Sequence, residues 1–92
     1  MMTDNQFITL CKNEVRKYVE EHLDKSDSKV DFDVYVVWSC KILNHWKALV
    51  STTLYDGMYY ELTFNGFMLE LYLDAYKKFE NKCIVLRGEK EE

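Results

Sequence analysis

An α+β fold is what this sequence predicts: N-terminal helix, four-stranded antiparallel meander sheet, C-terminal helix (α-β-β-β-β-α), with the helices on one sheet face. Three observations carry the expectation. Apolar residues recur at three- and four-residue spacing near both ends of the chain. Between those ends the period switches to two, as in strands with one buried face. Two turn signals, YDG and FNG, break the alternating stretch into hairpins.

The first helix is expected over 3–23. Thr3 with Gln6 fits a capping box, in which each side chain satisfies the other residue's free backbone N–H. Phe7, Cys11, Val15, Tyr18, Val19, His22 and Leu23 then form one apolar stripe, opposite Lys12, Asn13, Glu14, Lys17 and Glu20. Residues 24–33, DKSDSKVDFD, lose the period and read as an acidic linker. The meander spans 34–73. Its first strand is expected to point Val34, Val36, Trp38, Cys40 and Ile42 to one face. A second helix over 74–87 follows from Asp74 as N-cap and from Tyr76, Phe79, Cys83 and Leu86 at helical spacing, and 88–92 is a solvated tail. The whole chain, 1–92, is one domain.

Turn chemistry sets the expected registers. Asn65-Gly66 favours a two-residue turn, pairing Phe64 with Phe67, Leu62 with Leu69, Tyr60 with Leu71 and Met58 with Leu73. A three-residue loop Tyr55-Asp56-Gly57, with Gly57 left-handed, pairs Leu54 with Met58 and Val50 with Leu62. A three-residue loop Leu43-Asn44-His45 pairs Ile42 with Trp46 and Trp38 with Val50. One face is then wholly apolar and suited to burial under two helices.

The opposite face is where function is expected. Those registers align Tyr35, Thr53, Tyr59 and Tyr72 in one row, and Val37, Ser51, Glu61 and Glu70 in the next. The tyrosines can be explained by sheet stability alone, since aromatic cross-strand pairs contribute ~0.2–1 kcal/mol each. Facing carboxylates are harder to explain, because like charges directly opposite are destabilising. Either both stay hydrated or a basic group bridges them. Tyr35, Val37, Tyr59, Glu61, Glu70 and Tyr72 together form the expected partner-binding surface, aromatic anchors beside acidic specificity elements.

Composition narrows the function classes. The net charge of −4 and pI of about 5.2 argue against tracking a phosphate backbone. The helix–sheet–helix order resembles that of double-stranded RNA-binding domains, yet it has one strand too many and no basic stripe. Sheet-face aromatics can stack single-stranded bases, but here their neighbours are glutamates, so nucleic acid is the weaker reading. Glu61 with Glu70 as an acid/base pair would want a concave, partly dry site, which an open sheet does not offer. No His or Cys stands at metal-ligand spacing, and no catalytic residue, cofactor or metal is expected. Cys11, Cys40 and Cys83, odd in number and apolar in context, read as reduced, buried thiols. The N-terminal MMTDNQF lacks the pattern of a signal peptide and no run approaches membrane-spanning length, so an intracellular chain is expected.

The stretches DVYVVWSCKIL, KALVSTTLYDGMYYELTFNG and ELYLDAYKKFENKC resemble a family of small uncharacterised proteins encoded by phages and prophages of Gram-positive bacteria, the domain of unknown function DUF6275. The likeness runs from the first helix through Cys83, and its one departure is FML after Gly66, where a more polar loop is expected. The family carries no assigned chemistry, so no functional residue transfers. The resemblance implies a phage or prophage gene whose product acts in the cytoplasm of a Gram-positive host. The functional expectation is thus a non-enzymatic accessory protein that binds a protein partner, or itself, through the outer sheet face or a sheet edge. The first strand, VYVVWSC, has few residues that would block a homodimer by edge pairing.

Overall fold

A computed structural model of the protein describes residues 2–23 and 31–87. The tail at 88–92 and most of the acidic linker lie outside the described residues. The described residues form one helix, α1 (Asp4–His22), and four strands, β1 (Val34–Ile42), β2 (His45–Thr52), β3 (Met58–Asn65) and β4 (Glu70–Lys77). The strands make one antiparallel sheet in sequential order, as the alternating pattern predicts.

The start of α1 is the predicted capping box. The Gln6 amide donates to Thr3 Oγ1 at 3.1 Å, and the Thr3 amide donates to Gln6 Oε1 at 2.9 Å. Phe7, Cys11, Val15 and Val19, one turn apart, are buried against the sheet. They meet Trp46, Ala48 and Val50 of β2, and Tyr60, Leu62 and Phe64 of β3. The Phe7 and Trp46 rings lie 5.4 Å apart. Phe32 closes one flank of this core, with the Arg16 guanidinium 4.8 Å above its ring. His22, expected on the apolar stripe, is exposed, and stacks on Tyr18 with ring centroids 4.1 Å apart.

β1 departs from the expected phase. A bulge falls between Val36, paired with Val50, and Trp38, paired with Leu49. The extra residue, Val37, shifts the alternation by one. Val34 and Val36 therefore face the core as expected, while Trp38, Cys40 and Ile42 move to the outer face. The following turn is the two-residue Leu43-Asn44, with Leu43 at φ +57°, and His45 already belongs to β2.

The β2–β3 register moves by an even number of residues, which keeps every side chain on its expected face. Val50 pairs with Tyr60 and Ala48 with Leu62, and Gly57 holds the predicted left-handed backbone at φ +69°. The β3–β4 register moves further. Asn65-Gly66 does not form a two-residue turn; instead Asn65 pairs with Glu70, and residues 66–69 are the loop. Two local contacts explain this. Asn65 Oδ1 accepts the amides of Phe67 and Met68 at 2.9 and 3.1 Å, and the Gly66 amide donates to the Asn44 carbonyl at 2.9 Å. The two hairpin ends are thereby tied together, and a Cβ at position 66 would collide with the Asn44 carbonyl and side chain.

The longer loop decides the fate of the C-terminal segment. β3 still offers partners back to Met58, so Asp74, Ala75, Tyr76 and Lys77 are drawn into β4. The predicted helix over 74–87 does not form; residues 78–86 have no regular structure and are exposed throughout. With one helix on the inner face instead of two, Leu71 and Leu73 are only partly buried and Ala75 is exposed. The cysteines divide likewise. Cys11 is buried, and burial pushes its thiol up to about 12, whereas Cys40 and Cys83 are exposed, against expectation.

Candidate protein-binding face

The outer face carries four cross-strand rows, each fixed by the observed registers. The first is Tyr35, Ser51, Tyr59 and Tyr76. The second is Trp38, Leu49, Glu61 and Asp74, and the third is Cys40, Lys47, Thr63 and Tyr72. At the end of the sheet Ile42, His45, Asn65 and Glu70 form the fourth.

Of the six expected binding residues, the structure brings Tyr35, Tyr59 and Glu61 together and separates the rest. Tyr35 and Tyr59 flank Ser51, whose hydroxyl donates to the Met58 carbonyl at 2.9 Å and is almost wholly buried beneath them. Val37 is the bulged residue and lies beside this group, exposed. Glu70 does not face Glu61. It sits at the start of β4 opposite Asn65 and accepts a 2.7 Å hydrogen bond from the Tyr72 hydroxyl. That hydrogen bond, reinforced by the carboxylate's charge, raises the Tyr72 phenol above its ordinary value. Tyr72 therefore belongs with Glu70 rather than with Tyr59.

Tyr76 and Asp74 replace Tyr72 and Glu70 beside Tyr59 and Glu61. The signal was present: the alternation in ELYLDAYK runs on past Leu73, with Tyr72, Asp74 and Tyr76 on one side. Trp38 was hidden by the bulge, which no local pattern announces. Glu61 now faces Asp74, so a carboxylate pair does exist, and a basic group does attend it. Lys47 Nζ lies 3.3 Å from Glu61 Oε2, and the Tyr76 hydroxyl reaches Glu61 Oε1 at 3.5 Å. An exposed pair of this kind contributes ~0–1 kcal/mol, enough to offset the repulsion but not to organise the sheet.

At one end of the first row Tyr35, Ser51, Tyr55, Tyr59 and Lys78 line a shallow cleft of about 320 Å³. Lys78 Nζ stands 6.0 Å from the Tyr59 ring centroid, at the outer limit of a cation–π contact. Among the described residues no three His, Cys, Asp or Glu side chains converge as metal ligands. No described helix is long and apolar enough to cross a membrane.

Fold and surface together define a small α+β meander domain, helix-covered on one face and bearing tyrosine, tryptophan and carboxylate rows on the other. The particular family follows from comparison: the chain belongs to the family of unknown function DUF6275, whose sequence profile matches residues 8–86. No curated protein and no solved structure matches it.

Proposed function

We propose that this protein is a non-enzymatic accessory protein that binds another protein through the outer sheet face. The observation that carries the reading is the juxtaposition of Tyr35, Tyr59, Tyr76 and Trp38 with Glu61 and Asp74. Tyr35, Trp38 and Tyr76 are each about half exposed on a face that the protein's own helix does not cover, and large aromatics beside a few charges are what protein interfaces use as anchors. The resemblance of the strand sequences to phage and prophage proteins supports a viral accessory role in the cytoplasm of a Gram-positive host.

Nucleic-acid binding is the competing reading, since the same aromatics could stack bases. Lys47 is committed to Glu61, and the remaining row charges are acidic, which disfavours a phosphate backbone. Affinity capture from host lysate by the intact protein, repeated with Tyr59→Ala combined with Glu61→Ala, tests the proposal. A partner retained by the wild type and lost by the double variant is the expected result. Retention by both variants moves the binding site elsewhere, and a salt-sensitive gel shift with single-stranded nucleic acid would favour the competing reading.

A further inference from the structure

We infer that β4 is a self-complementary edge through which two copies pair antiparallel, about a two-fold axis at Leu73, into one continuous eight-stranded sheet. The pairing is made by backbone groups at the sheet edge; its seam includes Asp74 and Tyr76 of the outer face, but it does not depend on what that face binds.

The sheet has two edges, and they differ. β1 is broken by the bulge at Val37, a common device for spoiling edge pairing. β4 is unbroken from Glu70 to Lys77 in its ladder with β3. Its backbone directions follow from one bond: the Lys78 amide donates to the Gly57 carbonyl at 2.6 Å. In an antiparallel ladder, residues two apart repeat the same direction. The even-numbered residues of β4 therefore turn their backbone groups to β3. Leu71, Leu73 and Ala75 turn theirs outward, to an edge with no partner strand among the described residues.

Self-complementarity of the edge makes a second copy its occupant, and charge together with ladder length selects the register. Pairing that keeps apolar side chains on the inner face must place like-facing residues opposite one another. A two-fold at Asp74 would set that carboxylate against its own copy, and a two-fold at Tyr72 would set Glu70 against the partner's Asp74. Both oppose like charges directly, which is destabilising. Two-folds at Leu71 or Ala75 also oppose no like charges within the strand, but they bring only residues 70–72 or 73–77 into the shared ladder. A two-fold at Leu73 opposes none and engages 70–76. It sets Leu73 against the partner's Leu73 and Leu71 against the partner's Ala75 on the inner face. On the outer face it sets Tyr72 against the partner's Asp74 and Glu70 against the partner's Tyr76, each a phenol beside a carboxylate. The outward backbone groups of Leu71, Leu73 and Ala75 are then all used, and the half-buried Leu71 and Leu73 gain apolar neighbours that the missing second helix does not supply.

The same operation gives the C-terminal segment a place. Beyond Lys77 the chain continues along the partner's 66–69 loop, bringing Phe79 alongside the partner's Phe67. In the single copy these rings are 97% and 72% exposed, and Met68 and Leu69 beside Phe67 are exposed as well. An isolated copy is also extended, with a radius of gyration of 17.0 Å against about 12 Å for a compact chain of this length. Such an arm suits a symmetric, reciprocal interface.

Light scattering on the eluting full-length chain at micromolar concentration should give twice 11.1 kDa. Ala75→Pro removes an outward N–H that β3 does not use, so it should return the chain to monomer mass with an unchanged far-ultraviolet dichroism spectrum. With Cys40 and Cys83 replaced by serine, Leu73→Cys should crosslink to itself under mild oxidation, because hydrogen-bonded partners place their Cα atoms about 5.5 Å apart. In the same background Leu71→Cys should crosslink to Ala75→Cys and not to itself, which tests the register should Leu73→Cys fold poorly. Tyr59→Ala with Glu61→Ala should leave the dimer mass unchanged, separating edge pairing from what the outer face binds. A wild-type chain of monomer mass at every concentration overturns the inference. So does a dimer that survives Ala75→Pro, or a Leu71→Cys that crosslinks to itself in preference to Ala75→Cys.

Discussion

β2 and β4 are strands of equal length in the same sheet, yet one is almost entirely covered and the other almost entirely exposed. In β2, Trp46, Ala48, Val50, Ser51 and Thr52 are buried; in β4 no residue is. Both alternate, and both put leucine-, valine- or alanine-rich positions on the inner face. What separates them is position under α1, which lies over the β1–β2 side of the inner face and leaves the far edge without a lid. Amphipathic patterning thus states which face a strand wants buried, and a second element decides whether that burial is delivered.

Substitutions at matched positions should break the comparison most sharply. Leu62, fully buried in β3, and Leu73, its partner in β4, sit side by side on the inner face. Leu62→Ala should cost ~2–5 kcal/mol in denaturant unfolding, the range for a cavity in a closed core. Leu73→Ala should cost about 1 kcal/mol in dilute protein, because the site can collapse toward solvent. If the two penalties prove equal, β4 is as well covered as the neighbouring β3 and the contrast between a covered and an exposed strand fails.

Gly66→Ala tests the tie between the hairpin ends, with an expected loss of ~1–3 kcal/mol as the new Cβ displaces Asn44. A loss below about 0.5 kcal/mol would show that the two ends move independently.

Cys11 offers a readout of the covered region through pH. Its thiol is raised in the folded state from 9.0 to about 12 by burial. The unfolded chain therefore releases this proton first, so the stabilising contribution is complete below about pH 9 and is lost as pH rises toward 12. Stability of the wild type should fall more steeply than that of Cys11→Ala over this interval. In native protein near neutral pH, Cys40 and Cys83 should react with a thiol reagent while Cys11 stays protected.

The smallest effect belongs to the loop ends. Leu43 and Leu69 both hold left-handed backbone, at φ +57° and +54°, which an L-residue adopts at a cost. Leu43→Gly should raise stability by about 0.5 kcal/mol, and a loss would mean that the exposed leucine makes contacts that outweigh its strain.

The sequence was most legible where local chemistry and burial agree. Thr3 and Gln6 announced α1, its four buried residues lay on the predicted stripe, and Met58 through Phe64 alternated as read. Tyr35, Tyr59 and Glu61 were placed on one face correctly, because register errors of even size leave the face unchanged. Tyr72 and Glu70 were misplaced along the strand because the Asn65-Gly66 signal favours a turn that a contact with Asn44 replaces. Val37 was misread because a bulge is set by cross-strand fit rather than by the residues that form it.

By itself, then, the sequence determined the α1 stripe, the four-stranded meander and the assignment of faces through β2, β3 and most of β4, all consequences of short-range periodicity. Tertiary structure alone decided the β1 phase, the length of β4, the loss of a C-terminal helix and the neighbours of Glu61. Those depend on which backbone groups find partners across the sheet. With the 66–69 loop fixed by Asn44 and Asn65, the edge of β3 offers residues 74–77 backbone partners as a strand, partners that β3 would lose if they were helical.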